Sequence, residues 1–142
     1  MSGLIPYILF DGTAAEALTR YQEIFGGTLH LYDYKTLGRT DGPPEAIGHG
    51  MLIGDVELAA ADAAQGEAAL SMTGLHFSLL GTKDPGTLTQ WFDALADGGT
   101  ITDPLQKRAW GDYDGTVIDR FGVSWLIGYQ IPEAADTSVE MS

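Results

Sequence analysis

The chain switches between two hydrophobic periods, and it makes the same series of switches twice. Leu4–Phe10 is a continuous apolar run, which predicts a buried strand. Asp11-Gly12 predicts a turn. From Thr13 to Phe25 the apolar residues Ala14, Ala17, Leu18, Tyr21, Ile24 and Phe25 recur at helical spacing, so one face of a helix is apolar. Thr13 and Glu16 have the spacing of a capping box, and Gly26-Gly27 supplies the residues that tolerate a left-handed helix end. Thr28–Leu37 reads as a strand, Gly38 to Gly48 as a loop, and His49–Ile53 with Val56–Ala61 as a hairpin around Gly54-Asp55. The predicted order is strand, helix, strand, strand, strand.

The second half repeats that order. Leu75–Leu80 is an apolar strand, and Asp84-Pro85 starts a helix with Asp as cap and Pro at the first helical position. Leu88, Trp91, Phe92 and Leu95 form its apolar face, and Gly98-Gly99 ends it. Thr100 to Trp110 holds the next strand, with Pro104 as a possible interruption, and Thr116–Asp119 and Ser124–Tyr129 flank a turn at Phe121-Gly122. Gly26-Gly27-Thr28 aligns with Gly98-Gly99-Thr100 at an offset of 72, and Pro6 with His76 at an offset of 70. The expected organisation is one domain over 1–142, with module one at 4–62, a small and polar linker at 63–73, module two at 74–131 and a polar, acidic tail at 132–142.

Composition narrows the functions available. The 142 residues suffice for one domain with a real core. Seven Lys and Arg against 20 Asp and Glu give a net charge of −13, which disfavours nucleic acid and anionic membrane as partners. With no Cys, disulfides, thiolate-held zinc and thiol nucleophiles are excluded. No apolar run approaches the roughly 18 residues of a membrane span. Met1-Ser2-Gly3 lacks the positive charge of a secretory leader, so the expected location is cytoplasmic. There is no phosphate-binding G-x-x-x-x-G-K-[ST], no G-x-G-x-x-G and no G-x-S-x-G.

A strand–helix–three-strand module covers one face of its sheet with the helix and leaves the other in need of a partner. Two such sheets, curled into half-barrels, would enclose a small-molecule hollow. This arrangement resembles the vicinal oxygen chelate superfamily, which includes glyoxalase I, bleomycin-resistance proteins and extradiol dioxygenases, and within it the PhnB-like branch. The resemblance is carried by Ile5-Pro6-Tyr7-Ile8-Leu9-Phe10, by Ala14 to Gly27, by His49-Gly50-Met51-Leu52-Ile53 with Asp62, and above all by Asp119-Arg120-Phe121-Gly122-Val123-Ser124-Trp125. It spans residues 4–131. It implies an α+β fold of two tandem β-α-β-β-β modules and a homodimer, with modules exchanged between chains as one form of it. The branch's methyltransferase-like name finds no support, because a glycine-rich cofactor turn and a doubly wound pattern are both missing.

Metal-using members of that superfamily place four ligands on four strands. The resemblance carries those positions to Pro6, Glu57, His76 and Leu126. Glu57 and His76 are metal donors by chemistry; Pro6 and Leu126 are not, and Leu126 cannot act as a base. A divalent metal is therefore the one candidate cofactor, and an incompletely held one. The competing reading of His76 is a core-facing histidine bonded to backbone. Glu57 competes as a pocket carboxylate or part of a solvated strand face, and His49 either lines the first module's cavity or ends a strand at the surface. His30 carries no signal.

Amphipathic aromatic surface comes from Tyr7, Tyr34, Trp110, Tyr113 and Trp125. Trp125 is expected in the core, whereas Trp110, followed by Gly111-Asp112, suits a pocket rim as well as plain packing. Lys107-Arg108 either attracts an anion or offsets neighbouring Asp residues, and Gly111-Asp112-Tyr113-Asp114-Gly115 reads as a solvated turn. The expectation from these residues is a protein that binds a small, partly apolar molecule through Tyr7, His49, Trp110 and Tyr113. The alternative is a metal-dependent lyase, isomerase or dioxygenase using Glu57 and His76, and a third is a structural or regulatory relative.

Overall fold

A computed structural model describes residues 3–131. The chain divides between Gly74 and Leu75 into two compact units of the same topology. The first contains β1 (Tyr7–Phe10), α1 (Ala14–Phe25), β2 (Thr28–Asp33), β3 (Ile47–Ile53) and β4 (Leu58–Asp62). Its sheet runs β1-β4-β3-β2, with β1 parallel to β4 and the other pairs antiparallel. The second contains β5 (Phe77–Leu80), α2 (Pro85–Ala96), β6 (Thr100–Lys107), β7 (Tyr113–Ile118) and β8 (Ser124–Tyr129). Its sheet runs β5-β8-β7-β6, again with one parallel pair, β5 with β8. The fold is α+β, two β-α-β-β-β units in tandem. Among the described residues no helix is long and apolar enough to cross a membrane.

Each helix covers one face of its own sheet. In α1 the buried side is Ala14, Ala17, Leu18, Tyr21 and Phe25; in α2 it is Leu88, Trp91, Phe92 and Leu95. Gly50 faces α1, since a Cβ there would meet the Leu18 side chain at 2.5 Å. It pairs with Ala60, which pairs with Ile8, so that row lies under the helix. Strand alternation then turns Tyr7, Leu9, Ala59, Ala61, His49, Met51, His30 and Tyr32 to the other face. In the second unit Phe77 meets Trp125 edge to face at 5.7 Å on the helix side, and Val117 pairs with Trp125. Ser78, Leu126 and Thr116 therefore occupy the opposite face.

The double-glycine landmark has a steric cause. Gly27 has φ +105°, and a Cβ on it would lie 2.5 Å from the Ile53 carbonyl oxygen. Gly99 is pressed in the same way against the carbonyl oxygen of Ile118, the residue at the matching strand end. In both units the chain leaving the helix passes too close to the far hairpin for any side chain.

Three local expectations are corrected. Thr13 makes no side-chain cap bond; the Ala14 N–H at the start of α1 donates instead to the Asp62 carboxylate at 2.9 Å, from the end of β4. A long-range acceptor has displaced the local capping box. Strand β2 stops at Asp33 and does not reach Leu37, because the Asp33 carboxylate accepts the Thr36 N–H at 2.7 Å and folds the chain into a turn. Tyr113–Gly115 belongs to β7 and not to a solvated turn, for the Asp114 carboxylate is paired with Arg108 at 2.6 Å. Asp84, by contrast, caps α2 as its sequence indicates, accepting the Thr87 N–H at 3.0 Å ahead of Pro85. Pro104 does not end β6; the register shifts on both sides of Asp103 accommodate it in an edge strand. The segment 63–73 is tied to the first unit, where the Leu70 N–H donates to Leu9 O on the outer edge of β1. The tail at 132–142 lies outside the described residues.

Candidate functional site

On the first unit's helix-free face, three rings form a platform. Tyr32 and His49 are register partners on β2 and β3, and their rings stack at 6.4 Å with 17° between planes. Tyr7, from β1, leans across β4 to stack on His49 at 5.7 Å and 27°. It crosses a strand whose residues on this face are Ala59 and Ala61, small enough to leave room. The Tyr7 hydroxyl lies 3.0 Å from His49 Nδ1. Burial pushes the Tyr7 pKa up, partly opposed by the Arg39 charge and reinforced by Glu67. Tyr7 therefore stays a phenol at neutral pH, and its hydroxyl and His49 Nδ1 share a hydrogen bond whose donor depends on the imidazole tautomer. Tyr7 is half exposed (51%), so this platform is open to a ligand.

Tyr34 does not belong to that surface. It is fully buried, donates its hydroxyl to Asp62 O at 2.7 Å, and carries the Arg39 guanidinium over its ring at 4.0 Å. His30 is an exposed residue of the platform's face. Tyr32 was not singled out from the sequence; its parity with His49 across the β2–β3 pair was the available signal.

In the second unit His76 precedes β5 and is exposed, not core-facing. Its Nδ1 lies 2.7 Å from the Ser124 hydroxyl, a side-chain partner in place of the expected backbone one. Arg108 bridges two carboxylates, Asp103 at 2.6 Å and Asp114 at 2.6 Å, which raises its pKa through those hydrogen bonds. Of the two readings of Lys107-Arg108, the structure thus shows Arg108 offsetting Asp residues. Trp110 is 70% exposed, and its indole N–H donates to Asp112 at 3.2 Å; the other Asp112 oxygen accepts from Gln130 at 2.8 Å. Tyr113 stacks on Tyr129 at 5.2 Å and 13°. Beside this pair lies an open cleft of about 510 Å³, formed where β5 and β8 end and β7 begins.

The most specific sequence motif proves to be a hairpin clasp. Asp119 Oδ1 accepts the N–H groups of Phe121 and Val123 at 2.9 and 3.1 Å, and Oδ2 accepts the Trp125 indole N–H at 2.8 Å. Trp125 is in the core, as expected. The family model described as glyoxalase/bleomycin resistance protein/dioxygenase superfamily matches residues 3–127, and so takes in this clasp and both units. The chain belongs to that superfamily. It is 28% identical to Protein YjdN of Escherichia coli K12 over 140 residues, covering 87% of this chain and 92% of that one. The crystal structure of PA1353 from Pseudomonas aeruginosa is similar at a TM-score of 0.76 and 29% identity, covering 92% of this chain and 98% of that one. The PhnB protein of Bacillus cereus shares the fold at a TM-score of 0.72 and 20% identity, covering 90% and 99% of the two chains.

Superfamily membership raises the question of a metal, and the donor chemistry answers part of it. Pro6 offers only its carbonyl, which already accepts the Ala59 N–H at 2.9 Å, and Leu126 offers no side-chain donor. Glu57 is half-buried between the buried Val56 and Leu58, just ahead of β4, while His76 belongs to the second unit. Two donors are fewer than the three protein ligands of a catalytic zinc or the facial triad of iron. These four positions do not fit a complete metal centre.

Proposed function

We propose that the protein binds a small, flat, partly apolar molecule on the first unit's platform, where Tyr7 and His49 would contact it, and that Trp110 and Tyr113 form a ligand surface of their own in the second unit. The observation that carries this reading is the Tyr7–His49–Tyr32 platform. Stacked rings offer a large contact area at little entropic cost, and the His49 imidazole adds a directional hydrogen-bonding group. Superfamily membership supports it, since the family description includes bleomycin resistance proteins. The reading includes a cytoplasmic homodimer, which light scattering on the purified protein tests.

The experiment is thermal unfolding of the full chain against bleomycin and a panel of planar aromatic heterocycles. A ligand present at 100 times its Kd stabilises by about 2.7 kcal/mol, a Tm rise of several degrees. We expect such a rise, lost in Tyr7→Ala. No rise with any compound, or a full rise in Tyr7→Ala, overturns the reading.

One observation favours a second reading, a metal-dependent lyase, isomerase or dioxygenase. The Ser124 hydroxyl fixes His76 through Nδ1, as outer-shell groups orient metal-binding imidazoles, and Glu57 would be the other donor. Metal analysis of protein purified without added metal decides between the two. A stoichiometric divalent metal that is absent from both His76→Ala and Glu57→Ala establishes the second.

A further inference from the structure

We propose that Asp11-Gly12 is a site of spontaneous isoaspartate formation, and that the isomer loosens the junction between β1 and α1. The sequence holds four Asp-Gly pairs, at 11–12, 41–42, 97–98 and 114–115. Glycine favours the reaction because it has no Cβ to shield its nitrogen. That nitrogen attacks Cγ of the protonated aspartate side chain; a C–N bond forms, a C–O bond breaks and water leaves, giving a cyclic imide. Water then adds back. Addition at Cγ restores aspartate, whereas addition at the main-chain carbonyl leaves the peptide bond running through the side chain, with a free α-carboxylate. Nothing is oxidised or reduced, and the mass is unchanged.

The structure separates the four pairs. Asp114 lies in β7 with its carboxylate held by Arg108 at 2.6 Å, and Gly115 is paired with Ile127 and pressed on the Leu105 backbone. Asp41 is gripped by Arg39 through Nε at 3.0 Å and Nη2 at 2.8 Å, and Gly42 lies against the Tyr34 ring. Asp97 is paired with Arg120 at 3.6 Å, and the same side chain lies over Gly98. Asp11 and Gly12 are both exposed, and among the described residues neither the Asp11 carboxylate nor the Gly12 N–H has a hydrogen-bond or ion-pair partner. Gly12 has φ +82°, and a Cβ on it would meet nothing within 4 Å, so no neighbour braces the turn. The link formed by residues 11–13 is fastened at both ends to consecutive residues: the Ala63 N–H donates to Phe10 O at 2.7 Å, and the Ala14 N–H to the Asp62 carboxylate at 2.9 Å. The isomer puts an extra carbon into the backbone of that short link and strains both fastenings.

The test holds the intact protein at neutral pH for weeks, in parallel with the same chain unfolded in urea, and digests both with trypsin. Cleavage after Lys and Arg leaves each Asp-Gly pair in a different peptide, 1–20, 40–83, 84–107 and 109–120. Isoaspartate is read as a peptide of equal mass and altered retention, and by labelling with an isoaspartyl carboxyl methyltransferase. We expect the folded protein to accumulate it in 1–20 ahead of the other three peptides, and the unfolded chain to accumulate it in all four. Asp11→Glu, which would have to close a larger ring, should lose the signal from 1–20. The aged protein should melt at a lower temperature than the fresh one, and aged Asp11→Glu should not. A folded protein in which another peptide leads, or in which 1–20 stays unmodified while the unfolded chain reacts, overturns the site. An equal fall in Tm in aged Asp11→Glu, or no fall in the aged parent, overturns the effect on the junction.

Discussion

The Asp62 carboxylate, only 5% exposed, accepts backbone N–H groups from Ala14 at 2.9 Å and Ile47 at 2.8 Å, while its carbonyl accepts the Tyr34 hydroxyl. Asp62→Ala strands two donors and should cost about 3 kcal/mol in urea unfolding. Thr13→Ala, which removes no cap bond, should change stability by no more than about 0.5 kcal/mol; the reverse order would restore the local capping box. Burial pushes the Tyr34 pKa up, with Arg39 opposing. The unfolded tyrosine ionises near its ordinary value of about 10 and the folded one above that. This share of stability is therefore complete below pH about 10 and is lost as pH rises toward the folded value. Tyr34→Phe should cost about 1 kcal/mol at neutral pH and flatten the alkaline loss of Tm. At this scale the sequence was legible where partners are near in the chain, as where Asp84 caps α2. It misled where a partner comes from afar: Thr13 and Glu16 have the right spacing, yet the acceptor that caps α1 is 48 positions downstream.

Strand β6 keeps its pairing with β7 despite Pro104 because the register shifts around Asp103, and Gly115 lies beneath that irregularity. A Cβ on Gly115 would approach the Leu105 backbone nitrogen to 2.6 Å and Asp103 O to 2.8 Å. Gly115→Ala should therefore cost about 2 kcal/mol in urea unfolding, with faster amide exchange in β6 and β7. A neutral substitution would show that the edge strand can step aside. Both helices were legible from their apolar spacing and glycine ends. The start of β7 was not, since Gly-Asp-Tyr-Asp-Gly has the composition of a turn until Arg108 is seen to hold Asp114. In the same way, the Tyr7–His49 contact depends on two small residues of an intervening strand, and nothing local to Tyr7 announces it.

Across the whole molecule, the net charge of −13 opposes compactness through self-repulsion, which salt screens. Pairs such as Arg39 with Asp41 and Arg20 with Glu23 are exposed and contribute little. Raising NaCl from low concentration to about 0.5 M should raise the Tm; a fall would mean that the ion pairs outweigh the repulsion. The duplicated architecture was legible because Gly27 and Gly99 mark the same steric bottleneck. The Tyr7–His49–Tyr32 platform was not, because it depends on which rings the register brings together. The long reach of Asp62 also bears on how the chain is made. As the polypeptide leaves the ribosome, α1 emerges with its first turn unfastened, and it stays so until the end of β4 follows. A nascent fragment cut short of Asp62 carries the helix without its anchor, so the first unit closes only once its last strand has been synthesised.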